Sequence, residues 1–150
     1  MRGSAAESLV GVWRLEAIRE RFEDGRSEDH PDFGADPDGL LIYTKSGYIS
    51  VQFMRRARRM FTAEDDPTPA ERAAAAEGYG AYAGRYEVDE AKALVHHHVE
   101  VALIPNRVGR TLTRRFSLSG DRLALSPLDA RDKHKHKGIE VDRKLFWRRV

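Results

Sequence analysis

Leu40-Leu41-Ile42-Tyr43-Thr44-Lys45-Ser46-Gly47-Tyr48-Ile49-Ser50-Val51-Gln52-Phe53-Met54 is the stretch that decides the fold class. Two runs rich in β-branched and aromatic residues flank Ser46-Gly47, so a hairpin of strands over 40–45 and 48–54 is predicted. Outward from it the alternating pattern returns on both sides. Residues 9–23 read as a first strand ending at Asp24-Gly25, followed by a Pro-, Asp- and Gly-rich loop through Gly39. Further strands are predicted over 85–88, 94–104, 111–118, 122–126 and 144–150, with turns at 89–92, 105–106 and 119–121. Residues 55–67 read as a connection. Thr68 is a good N-cap, Pro69 suits the first helical position and Glu71 completes a capping box, so one helix is predicted over about 68–83. Residues 1–8 read as a disordered lead-in. Residues 129–142, with Lys133-His134-Lys135-His136-Lys137, lack periodicity and read as a mobile surface loop. About eight antiparallel strands and one short helix, mostly linked by short turns, predict an all-β up-and-down barrel. It forms a single domain over 9–150, has no free sheet edges and is wide enough for one small ligand.

The chain has 150 residues, 41% of them hydrophobic, which suffices for one core. No stretch approaches the ~20 apolar residues of a membrane span, and no apolar run of the signal-peptide kind opens the chain. A cytoplasmic protein without membrane attachment, monomeric or homodimeric, is the expectation. Without cysteine there is no disulfide, thiolate nucleophile or thiolate metal site. The formal charge of +2 conceals an asymmetry, because residues 107–150 hold 13 Lys and Arg against 5 Asp and Glu. Such a skew suits a solvated surface, a nucleic-acid face, or a cavity mouth that steers anions. Arg55-Arg56-Ala57-Arg58-Arg59 resembles a nucleic-acid patch in composition only; no aromatic interleaves it and no nucleic-acid module surrounds it. No phosphate loop, dinucleotide fingerprint or Ser/His/Asp ordering occurs, so no cofactor and no metal are expected.

Gly11-Val12-Trp13 on the first strand resembles the lipocalin Gly-x-Trp signature, and Trp147-Arg148-Arg149 on the last supplies an Arg to pack across that Trp. Residues 9–15, 41–44, 50–55 and 78–82 resemble segments of the bacterial lipocalin-like domain family. So do His97-His98-Val99-Glu100, Pro105-Asn106, Arg114-Arg115-Phe116 and Gly120-Asp121-Arg122-Leu123. The similarity covers most of 9–128 and resumes at 144–150; the Lys/His loop looks longer and more basic than the family usually carries. The resemblance implies a calycin-like barrel with a cavity for a small molecule, and implies little about activity.

Strand faces decide which polar groups reach a barrel interior. In 94–104 one face reads Val95, His97, Val99, Val101, Leu103, so His97 points inward unless a bulge exchanges it with His98. In 111–118 the face Leu112, Arg114, Phe116, Leu118 turns Arg114 inward. A buried guanidinium needs a partner: an internal carboxylate, a backbone carbonyl, a water, or an anionic group on a ligand. If His97 and Arg114 line one cavity, Arg114 binds a carboxylate or enolate oxygen and His97 exchanges a proton. The alternatives are a core histidine hydrogen-bonded to a neighbour and a buried ion pair that fixes register. Tyr43, Gln52, Tyr82, His98, Glu100 and Phe116 are the accompanying candidate ligand contacts. Tyr43 is otherwise a packed aromatic, and Tyr79 and Tyr82 share one side of the predicted helix end, as packing or as a lid. His96, His98 and Glu100 share the other strand face, either as a solvated surface or as metal ligands. His134 and His136 read as solvated.

Three functions compete on this evidence. A carrier barrel would bind a small hydrophobic or aromatic, anionic metabolite. A cofactor-free isomerase, cyclase or dehydratase of secondary metabolism would act on a polyketide-like or terpenoid-like compound through His97 and Arg114. A basic-surface interaction protein would use the Arg run and the Lys/His loop.

Overall fold

The structure, a computed structural model, describes residues 3–128, 134–136 and 138–150. Among them one antiparallel sheet runs through ten strands. These are β1 (Gly11–Arg21), β2 (Ser27–Asp29), β3 (Asp38–Tyr43), β4 (Tyr48–Met54), β5 (Tyr79–Asp89), β6 (Leu94–Ala102), β7 (Thr111–Ser119), β8 (Arg122–Pro127), β9 (His134–His136) and β10 (Ile139–Arg149). The order is β2-β1-β3-β4-β5-β6-β7-β8-β10-β9, and β1 also pairs with β10 from Trp13↔Arg149 to Arg21↔Asp142. Eight strands therefore close a barrel, with β2 and β9 as short additions. The hairpin of β3 and β4 has the register Tyr43↔Ile49 and Leu41↔Val51, as its alternation predicts.

The closed end is built on Trp13, which is fully buried. Its indole N–H donates to the Leu9 carbonyl at 3.0 Å, and the Arg149 guanidinium lies 4.2 Å over its ring. Arg149 also donates to the carbonyls of Val10, at 2.9 Å, and Ser8. Gly11 makes room for this: its φ is +140°, and a Cβ there would lie 2.8 Å from Arg149 Nη1. The carbonyls come from a short helix, α1 (Ala5–Leu9), and its C-cap Val10; a reciprocal Ser4–Glu7 box caps the other end, and Leu9 is buried. Residues 5–8 are thus helical rather than a disordered lead-in, because a cap and a buried leucine hold them.

Three further expectations are corrected. The helix α2 spans only Pro69–Glu77, with the expected Thr68–Glu71 box, and the chain enters β5 at Tyr79. The Gly- and Ala-rich run 78–84 looked like a fraying helix end, yet its small residues serve close strand packing. Across from it β6 carries a bulge: Ala83 pairs with Val101 and Gly84 with Val99, leaving Glu100 as the extra residue. A Cβ at Gly84 would run into the His98 carbonyl. The bulge falls beyond His97, so His97 stays inside, while Val101, expected to face inward, is 63% exposed. In the expected loop over 129–142, His134–His136 instead pairs with Ile139–Val141 as a hairpin. The rest of that loop, 129–133 and 137, and the side chains of His134 and His136 lie outside the described residues.

At the open end the loop after β2 folds inward. Phe33 is buried and packs on Phe53 with ring centroids 5.0 Å apart. The arginine run holds the neighbouring loops: Arg55 donates to the Asp32 and Pro31 carbonyls, Arg56 pairs with Asp36, and Arg58 donates to the Ala75 carbonyl. No helix among the described residues is long and apolar enough to cross a membrane. Gly84→Ala is expected to lower stability by about 1–3 kcal/mol, the usual cost of overpacking, read as a lower urea midpoint at unchanged slope. A midpoint equal to wild type would remove the close strand approach as the reason for this glycine.

Candidate functional site

β6 delivers His97 to the centre of the barrel because Val95 and Val99 on either side bury the same face. His97 is 1% exposed and both ring nitrogens are occupied. Nε2 lies 2.7 Å from the Tyr43 hydroxyl on β3, and Nδ1 lies 2.7 Å from the Tyr82 hydroxyl on β5. Burial first, and then the Arg114 guanidinium, hold His97 well below the ordinary imidazole value, so it is neutral. Burial likewise raises Tyr43 well above the ordinary phenol value, with Tyr82 adding to the rise and Arg114 opposing it. His97 thus resists gaining a proton and Tyr43 resists losing one.

Beside this chain is a small interior cavity of about 60 Å³. Its walls include Leu41, Val51, Phe53, Leu125, Pro127 and Leu145, together with Tyr82, His97, Arg107, Arg114, Arg143 and Trp147. Arg114 is buried, as its place among Leu112 and Phe116 on β7 predicts. Arg143 donates to the wholly buried Glu20 at 3.0 Å, and His30 Nε2 lies 3.5 Å from the same carboxylate oxygen. The Asp32 N–H donates to His30 Nδ1 at 3.0 Å, so the neutral ring turns an Nε2–H toward Glu20. Trp147 is buried, and its indole N–H has no acceptor among the described residues.

His97, Arg114 and Tyr82 are therefore brought together at one cavity. Tyr43 stands behind His97, outside the lining, and Phe116 is core. Tyr82 gets there on a strand, so Tyr79 three residues away faces the other side, under the Arg58 guanidinium. Gln52 is half-buried on the outer surface and donates to Ser50 Oγ at 2.8 Å. It lines an outer groove with Arg14, Asp38 and Leu40. His98 also faces outward, held by Thr111 at 2.8 Å and Glu87 at 3.2 Å, and Glu100 is exposed at the bulge. His96 is taken by Thr113 Oγ1 at 2.9 Å, and no group of three His, Asp or Glu side chains among the described residues has metal-binding geometry.

Sequence reasoning missed Glu20, His30, Arg107, Arg143 and Trp147. A signal existed for Glu20. β1 shifts register between Leu15 and Ala17, so the inward side passes from Trp13 and Leu15 to Ile18 and Glu20. The spacing of three between Leu15 and Ile18 announces that break.

The buried neutral His97 predicts a pH dependence. Its folded-state pKa is depressed, so below the ordinary imidazole value of 6.5 the unfolded chain binds the extra proton first. This contribution to stability is whole above that pH and is lost as pH falls toward the folded-state value, by up to about 1.4 kcal/mol per pH unit for one proton. Urea unfolding between pH 7.5 and 4.5 should show His97→Gln with a shallower acid loss than wild type. Parallel curves would mean that His97 is not buried neutral.

The family model described as lipocalin-like domain matches residues 10–150. A search of curated proteins finds no match. Among solved structures, a lipocalin-like protein from Bacteroides uniformis ATCC 8492 is similar, at 17% identity and a TM-score of 0.45, over 95% of this chain and 98% of that one. With its barrel closed by β1 and β10 and the family match running nearly end to end, the chain belongs to the lipocalin-like domain family.

Proposed function

We propose that the barrel binds a small amphiphilic molecule whose anionic or strongly accepting head group sits beside Arg114, with a hydrophobic or aromatic body turned toward the open end. The observation that carries this is Trp147, a buried indole N–H without an acceptor among the described residues, on a residue that lines the cavity. A buried donor left unmet costs about 1–3 kcal/mol, and a ligand acceptor removes that cost. Arg107, Arg114 and Arg143 line the same space, whereas no carboxylate among the described residues does. Guanidinium forks match carboxylate geometry. The size of the space narrows the reading: a whole drug-sized ligand needs about 300–1,000 Å³, and the roughly 60 Å³ available suits a head group. The body then meets the Phe53 and Pro127 side of the wall.

A second reading draws on the Tyr43–His97–Tyr82 chain. In a cofactor-independent isomerase, cyclase or dehydratase of polyketide-like or terpenoid-like compounds, Arg114 and Trp147 stabilise charge developing on a substrate oxygen. Tyr82 is then the group in contact with the substrate and His97 acts through it, because both imidazole nitrogens are already engaged. A catalyst differs from a carrier in that His97→Gln lowers turnover more than product affinity.

Benzoate is a suitable probe for the binding reading, with benzyl alcohol as its uncharged counterpart. Arg114→Met should weaken benzoate binding at least about tenfold in calorimetric titration, the worth of one charge-assisted hydrogen bond, and affect benzyl alcohol much less. Equal benzoate affinity in the variant and the wild type would take Arg114 out of the binding site.

A further inference from the structure

We propose that Tyr43, which does not line the cavity, sets the hydrogen-bond polarity of Tyr82, which does: acting through His97, it fixes the Tyr82 hydroxyl as a donor, so the head group recognised is a pure acceptor, a carboxylate or an enolate. The ligand class rests on the binding reading above; the polarity of Tyr82 does not.

A neutral imidazole has one N–H and one bare nitrogen, so the chain has two possible directions. In one, Tyr82 donates to Nδ1 and Nε2–H donates to Tyr43. In the other, Tyr43 donates to Nε2 and Nδ1–H donates to Tyr82. Each phenol has His97 as its sole hydrogen-bond partner among the described residues. Either direction therefore leaves one hydroxyl proton without a protein acceptor. In the first it is the proton of Tyr43, which is 1% exposed and walled in by Tyr86 and His97. In the second it is the proton of Tyr82, which borders the cavity and can point it there. Buried donors without acceptors are rarer than unused lone pairs, so the second direction wins.

The charged alternatives do not rescue the first. An imidazolium would donate to both phenols, but burial and Arg114 oppose it, and burial likewise opposes a Tyr43 phenolate. Tyr82 then joins Trp147 and the arginines as a donor around one space. An alcohol, amine or amide N–H would bring a donor to donors. A carboxylate or enolate brings lone pairs only.

Two measurements test this. In ¹⁵N-labelled wild-type protein without ligand at pH 7.5, nitrogen–proton correlation should find the His97 proton on Nδ1 and a bare Nε2. The proton on Nε2 would overturn the proposal whatever the protein binds. In binding, Tyr82→Phe should weaken benzoate about tenfold, as expected for a lost hydrogen bond to a charged group; unchanged or tighter binding would show Tyr82 to be an acceptor. Tyr43→Phe removes the donor that fixes the tautomer. It should mix the two His97 forms and narrow the preference for benzoate over benzyl alcohol several-fold, which a purely structural role would not do. An unchanged tautomer and preference in that variant would remove Tyr43 as the residue that sets polarity. If wild type ignores benzoate yet carries its proton on Nδ1, the binding reading and the acceptor class fall together, and Tyr82 as a donor stands supported.

Discussion

An imidazole in the middle of a β-barrel persists only where both of its nitrogens are matched, and that constraint organises this interior. His97 takes one phenol from β5, its neighbour in the sheet, and one from β3, two strands further round. The chain of bonds therefore crosses the barrel rather than following its wall, and three strands must hold register for it to form. Each neutral hydrogen bond contributes only about 0.5–1.5 kcal/mol net, whereas an orphaned buried group costs about 1–3. The arrangement thus acts more strongly against wrong registers than in favour of the right one. A one-residue slip of β3 would turn Tyr43 out and leave Nε2 bare.

Below that level Trp13 is sealed by Arg149 and the Leu9 and Val10 carbonyls. Above it the character changes. Glu20, Arg143, His30 and Arg107 come from the strand ends and loops of the open side, and Phe33 is folded in against Phe53. Charge is concentrated where the cavity is. A carboxylate as fully buried as Glu20 needs partners, and Arg143 and the His30 N–H are two of them. That pairing anchors one guanidinium of the cavity and ties the loop after β2 to β1.

The barrel was legible because its evidence is local and repeated. Period-2 alternation with turn residues between runs survives small errors in boundaries. His97 and Arg114 were legible for a related reason: each is the odd polar member of an apolar face, and faces follow from counting. Counting fails at bulges. Val101 left the interior because Glu100 is an extra residue, and Glu20 entered it because β1 shifts register after Leu15. Run 78–84 misled for a different reason, since small residues serve a helix end and a close strand crossing equally well, and only the partner strand decides. Counting also set His98 and Glu100 on the face opposite His97, where the structure has them; Gln52 came from similarity of segments, which carries no information on facing. Trp147 was read as part of a closing motif, and nothing in sequence says that an indole N–H lacks an acceptor.

Selectivity in such a site comes from what is withheld as much as from what is offered. A phenol is ambivalent in water, because it can donate or accept with little preference. Buried beside a neutral imidazole it loses that freedom, since the ring nitrogen it faces is either bare or protonated and the far nitrogen has already been assigned by another phenol. Charge is not moved in making this choice, so it costs no desolvation of an ion. A residue remote from the ligand space can thus govern recognition by one hydrogen bond on the far side of a ring. Polar lining in a small apolar barrel is therefore best read outward from its deepest member, whose options are fewest.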